Sequence, residues 1–130
     1  MAVKQLREGI GAYLQRALEL AAEDLGEGDS PPTSSARAAC LRLFGEVDAL
    51  WPTASAPPLP SVSAPGDGDL SLEWRGGNRK LYASVYPDGL VRMFRAEIVE
   101  GRTCNTVVYT DPSPAEVADV LRWLAGCGLA

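Results

Sequence analysis

The side chains able to do chemistry in this sequence are carboxylates, three thiols, and a run of arginines and tyrosines, and there is no histidine. The commonest general base and the commonest metal ligand are therefore missing together. The serines cluster in residues 30–35 and 55–63, loop-like tracts without a G-x-S-x-G turn, so a serine nucleophile has neither a sharp elbow nor a base. Cys40, Cys104 and Cys127 are widely separated and form no CxxC pair. Such a set is neither a zinc site nor a disulfide framework, and it suits a reducing compartment. Cys40 falls on an apolar helical stripe, where a buried, inert thiol is the expected state. The sequence predicts no catalytic residue, no cofactor and no metal.

Carboxylates are what remains for an enzyme. A metal-dependent hydrolase or nuclease would draw on Asp67, Asp69, Asp88 and Glu73, with Glu97 and Glu100 nearby in sequence. That chemistry needs at least two of them converging on one cleft. Asp67-Gly68-Asp69 lacks the alternating ligands and terminal Glu of a calcium loop, and it reads as turn chemistry. Gly66, Gly68, Gly76 and Gly77 precede or join strands rather than opening a helix, so no phosphate-binding loop is present.

The distribution of charge is more specific. Seventeen Asp and Glu against twelve Lys and Arg give a formal net charge of −5, which disfavours binding to a phosphate backbone. Yet six of the twelve cations, Arg75, Arg79, Lys80, Arg92, Arg95 and Arg102, fall on about a quarter of the chain. Lys80, Tyr82 and Tyr86 alternate on one side of a predicted strand. Arg92 and Phe94 join that side if Val91 and Met93 point inward; the opposite phase would present Arg95 and Glu97. The candidate partner-binding set is Lys80, Tyr82, Tyr86, Arg92 and Phe94. A protein partner, stacked single-stranded nucleic acid, and a solvated face with cross-strand pairs to Glu73 and Glu97 are the three readings. The acidity of the chain argues against nucleic acid, and a homodimer is allowed. A second charged feature is the acidic stretch Glu19, Glu23, Asp24, Glu27 and Asp29, a solvated helix end that could also meet a basic partner.

The elements that must position these residues follow from periodicity. Leu6, Ile10, Tyr13, Leu14, Ala17, Leu18, Ala21 and Leu25 form an apolar stripe and predict a helix over 3–25, with Gly9 and Gly11 as weak points in its first turns. A breaker at 26–32 leads to a second helix from Ser34 to Trp51, capped by Thr33, Ser34 or Ser35 and ended by Pro52. These two form a helical hairpin over 1–51. Residues 52–69 carry five prolines and read as an ordered extended crossover, anchored by Leu59 and Val62, rather than a flexible linker. From Leu70 the period becomes two, and four strands follow over 70–110 with turns at Gly76-Gly77-Asn78, Pro87-Asp88-Gly89 and Glu100-Gly101-Arg102. Leu70, Leu72 and Trp74 share the inward side of the first. Ser113-Pro114-Ala115-Glu116 is a capping box that starts a last helix over 113–126, with Trp123 beside its apolar stripe, where it could edge a dimer contact.

The expected fold is α+β: a helical hairpin, a four-stranded antiparallel meander and a C-terminal helix, in one domain of two layers. Pro58-Leu59-Pro60-Ser61-Val62, Gly68-Asp69-Leu70-Ser71-Leu72-Glu73-Trp74, Arg79-Lys80-Leu81 and Pro87-Asp88-Gly89 resemble a pattern in small uncharacterised prokaryotic proteins, across residues 57–98. In these a proline-rich lead-in precedes a G-x-L-x-L-E-W hairpin. The resemblance implies an accessory protein encoded in a small cassette, toxin–antitoxin-like, and transfers no catalytic residue. With no apolar run of membrane length and no leader-like start, the expectation is a cytoplasmic, non-enzymatic protein-binding module, with no membrane association.

Overall fold

The structure, a computed structural model, describes residues 9–23, 25–52 and 55–126. The first turns expected at 3–8, Asp24 of the acidic stretch and Cys127 lie outside the described residues. Among the described residues the chain is α+β, with three helices, α1 (Ile10–Glu23), α2 (Ser34–Leu50) and α3 (Pro114–Gly126). Five strands follow one another across an antiparallel sheet: β1 (Ser61–Ser63), β2 (Leu70–Gly76), β3 (Arg79–Val85), β4 (Val91–Val99) and β5 (Arg102–Thr110). The expected count of four is corrected to five, because the proline-rich crossover contributes β1. Ser61 lies opposite Glu73 and Ser63 opposite Ser71.

The crossover is held by side chains from elsewhere. Tyr13 Oη donates to the Pro60 carbonyl at 2.6 Å, and Trp74 Nε1 donates to the Pro58 carbonyl at 3.2 Å. Pro57 and Pro60 are buried and Val62 is half-buried, whereas Leu59 is exposed. The anchors are thus the prolines and Val62, not Leu59.

Each helix start has an identifiable cause. Thr33 caps α2 by accepting the Ala36 N–H at 3.0 Å. At α3, Ser113 Oγ accepts from Glu116 N–H while the Glu116 carboxylate accepts from Ser113 N–H, the reciprocal box the sequence predicts. The N-terminus of α1 is capped from a distance, since both carboxylate oxygens of Asp48, on α2, accept N–H groups of Ile10 and Gly11 at 2.9 and 2.8 Å. A Cβ on Gly9 would sit 2.5 Å from that carboxylate. The glycines read as weak points in the sequence are therefore what admits the cap. Helix α2 ends one residue earlier than expected, with Trp51 in an extended conformation ahead of Pro52. Its Leu50 is exposed rather than part of the stripe.

One buried cluster joins Ile10, Leu14 and Leu18 of α1, Ala36, Cys40, Phe44 and Val47 of α2, and Val117, Leu121 and Leu124 of α3 to Leu70, Leu72, Trp74, Leu81, Val85 and Met93 of the sheet. Phe44 and Trp74 meet at 5.7 Å between ring centroids. Gly76 lets α3 approach β2, for a Cβ there would lie 2.7 Å from the Leu124 carbonyl oxygen.

Candidate functional site

Over Leu70–Arg75, Lys80–Val85 and Val91–Phe94 buried residues alternate with half-buried or exposed ones, and the strand register sorts the second set of these spans onto the opposite face of the sheet. Tyr82 lies directly opposite Phe94, and Ser84 opposite Arg92. Val91 and Met93 pair with Val85 and Ala83 of the core, which fixes the phase of β4 that alternation alone leaves open. Lys80, Tyr82 and Tyr86 thus share a face with Arg92 and Phe94. The rings of Tyr82 and Phe94 are 6.0 Å apart and tilted by 48°, within the range of favourable aromatic pairs. Tyr86 closes the β3–β4 hairpin by donating its N–H to the Leu90 carbonyl. A shallow concavity passes between Tyr82, Tyr86, Arg92 and Phe94 and reaches Val108 on β5. A second is lined by serines of β1 to β3, with Glu73 and Tyr82.

The cluster of cations does not stay together. Lys80 and Arg92 lie on the aromatic face, while Arg75 is held in an ion pair with Glu73 at 2.9 Å. Arg95 lies opposite Leu81 and so turns toward the helices. There Arg79 and Arg95 stack on the Trp123 ring, with guanidinium carbons 4.8 and 4.9 Å from its centroid. Arg79 also donates to the Trp123 carbonyl near the end of α3, where a cation opposes the negative end of the helix dipole. Trp123 lies beside the stripe as expected, half-buried against the core, and its ring also closes this stack. Sequence reasoning missed the trio because its members come from three elements.

The carboxylates are dispersed over separate tasks. Asp88 Oδ1 accepts from Leu90 N–H within its turn, and Glu73 is engaged by Arg75. Asp67 and Asp69 lie side by side where residues 66–68 run along the α1–α2 loop: Ser30 N–H donates to Gly66 and Thr33 N–H to Gly68. Asp69 Oδ1 is buried without a hydrogen-bond partner. Burial first, then the adjacent Asp67 carboxyl and its negative charge, raise its pKa. Among the described residues, no three His, Cys, Asp or Glu side chains are grouped to hold a metal ion. Burial likewise pushes the Cys40 thiol up to about 12, leaving it protonated and unreactive at neutral pH. No helix among the described residues is long and apolar enough to cross a membrane.

No protein-family model matches this chain, and neither a curated protein nor a solved structure matches it.

Proposed function

We propose that this chain is a non-enzymatic protein-binding module whose docking surface is the aromatic face of its sheet, with Lys80, Tyr82, Tyr86, Arg92 and Phe94 as the contact residues. The single observation that carries this reading is the Tyr82–Phe94 pair, half-buried side by side on a face whose residues do not join the core cluster. In this reading the domain is a two-layer sandwich, three helices on one side and an open sheet on the other. Rigid aromatic side chains flanked by cations supply binding energy at small entropic cost, and such residues dominate interface hot spots. The Glu73–Arg75 pair is locally neutral, so Lys80 and Arg92 leave this face positive on a chain of net charge −5. That polarity fits an acidic protein surface carrying apolar knobs.

The role is that of an antitoxin-like or inhibitor subunit in a prokaryotic conflict or regulatory cassette, acting in the cytoplasm. Co-expression with the product of the adjacent gene is expected to yield a stoichiometric complex. Tyr82→Ala and Phe94→Ala should each weaken it by roughly 30-fold or more, the loss typical of a hot spot, with an unchanged circular dichroism spectrum. A chain that remains alone, or a complex indifferent to both substitutions, overturns the reading.

A further inference from the structure

The edges of the sheet carry an inference separate from the docking face. Among the described residues, strand β5 has β4 as its single neighbour in the sheet, and one row of its backbone groups has no partner there. Which groups these are follows from the hydrogen-bond phase. Asp111 N–H donates to the Val91 carbonyl at 2.8 Å. Met93 lies opposite Tyr109 and Arg95 opposite Val107. Hydrogen-bonded pairs recur at every second position of an antiparallel ladder, so Tyr109 and Val107 direct their backbone groups at β4. Thr106, Val108 and Thr110 direct theirs outward.

Edge strands are usually blunted by charge, proline, a bulge or shortness. From Val107 to Thr110 none of these devices is present, and the run Thr-Val-Val-Tyr-Thr over 106–110 is β-branched at four of five positions and uncharged. The β-bulge of this ladder opens the run: Val107 pairs with Arg95 and Cys104 with Glu97, so Asn105, at a positive φ of 52°, and Thr106 together face Ala96. Val108 at the centre is 52% exposed.

We propose that the chain forms a two-fold homodimer by antiparallel pairing of β5 with β5 of a second copy, centred on Val108. The choice of a second copy rests on self-complementarity. A two-fold axis at Val108 sets Val108 against itself, Thr106 against Thr110, and Val107 against Tyr109. All three outward-facing residues then meet outward-facing residues, giving about six new hydrogen bonds because each such pair exchanges two. Threonine meets threonine and valine meets an aromatic ring, both favourable cross-strand pairs. Asp111 falls opposite Asn105, so no like charges are juxtaposed across the paired run. Directly opposed residues share a face of the sheet, and the two aromatic faces therefore join into one continuous surface.

The test is sedimentation of the full chain from micromolar to sub-millimolar concentration. The wild type is expected to pass from monomer to dimer, and Val108→Pro to remain monomeric throughout with an unchanged spectrum. Proline here removes an N–H that β4 does not use, so the monomer is spared. A cross-linking arm keeps the register testable even if the proline variant fails to fold. On a background of Cys104→Ser and Cys127→Ser, Val108→Cys should form a disulfide dimer under mild oxidation, and Thr106→Cys should not. A wild type that stays monomeric, a dimer that survives Val108→Pro, cross-linking through Thr106→Cys in place of Val108→Cys, or an otherwise monomeric chain that takes a strand of another protein at this edge each overturns the proposal.

Discussion

At one edge of the sheet β1 offers three residues between prolines; at the other, β5 offers nine, the last five unbroken by charge or proline. The short strand is tied down by its own chain, with the Tyr13 hydroxyl and the Trp74 indole taking the carbonyls of Pro60 and Pro58. The long strand packs extensively against β4 alone among the described elements. Both edges belong to one antiparallel sheet, yet one is packed by α1 and held through the prolines ahead of it, while among the described residues the other leaves a row of backbone groups outward. An edge that internal contacts close contributes to folding, and an open one is available for association. Substitutions at the two edges should therefore fail in different assays.

The largest effect is expected at the closed edge. Trp74 is 1% exposed and packs on Phe44 while holding Pro58. Trp74→Phe leaves a partial cavity and an orphaned carbonyl, for a loss of about 2–3 kcal/mol in urea unfolding. Hydrogen exchange at Ser61–Ser63 should accelerate more than exchange in β3. Uniform acceleration across the sheet would mean that β1 owes nothing specific to the indole.

A smaller effect, of opposite sign, comes from the connection between β1 and β2. Asp69 has a raised pKa because its carboxyl is desolvated and lies beside Asp67. A carboxyl with a raised folded pKa favours the folded state in its protonated form, and that contribution is lost as pH rises through the folded pKa. Asp69→Asn, which cannot ionise, should thus be more stable than wild type at pH 7. The advantage should shrink toward zero below the ordinary aspartate value of about 3.9. Denaturation midpoints at neutral and acid pH check this, and a gain independent of pH would assign it to something other than ionisation.

Much of this architecture was legible in the residues, and the failures have physical causes. Turns at Gly77-Asn78 and Pro87-Gly89 and the Ser113–Glu116 box are encoded locally, within four residues, and each forms where its chemistry predicts. Strand β1 was not legible, because Ser-Val-Ser among prolines has no strand signal of its own. Its conformation is imposed by pairing with β2 and by two side chains 47 and 16 residues from their acceptors. The Asp48 cap was invisible for the same reason, being a polar residue on a helix whose partner lies 38 positions away. On the aromatic face, alternation supplied Lys80, Tyr82 and Tyr86 outright. The phase of β4 needed the core to decide it, since Val91, Met93 and Phe94 are all apolar and only two can face inward. The openness of β5 depends on what lies beyond it, which no local pattern reports.

The smallest expected effect on folding is therefore the most informative one. Val108→Lys replaces a side chain that is half in solvent and whose backbone groups β4 does not use. At low protein concentration, where the chain is monomeric, it should change unfolding free energy by no more than about 0.5 kcal/mol, as for surface substitutions generally. At high concentration the two proteins should part. If the proposed dimer forms, the wild-type Tm should rise with concentration, because only the folded chain can pair its edge with a second copy. A lysine at the two-fold axis would face a second lysine, so the variant Tm should stay level. A variant destabilised at every concentration would place Val108 among the contacts that hold the monomer together, and would make β5 a closed edge like β1.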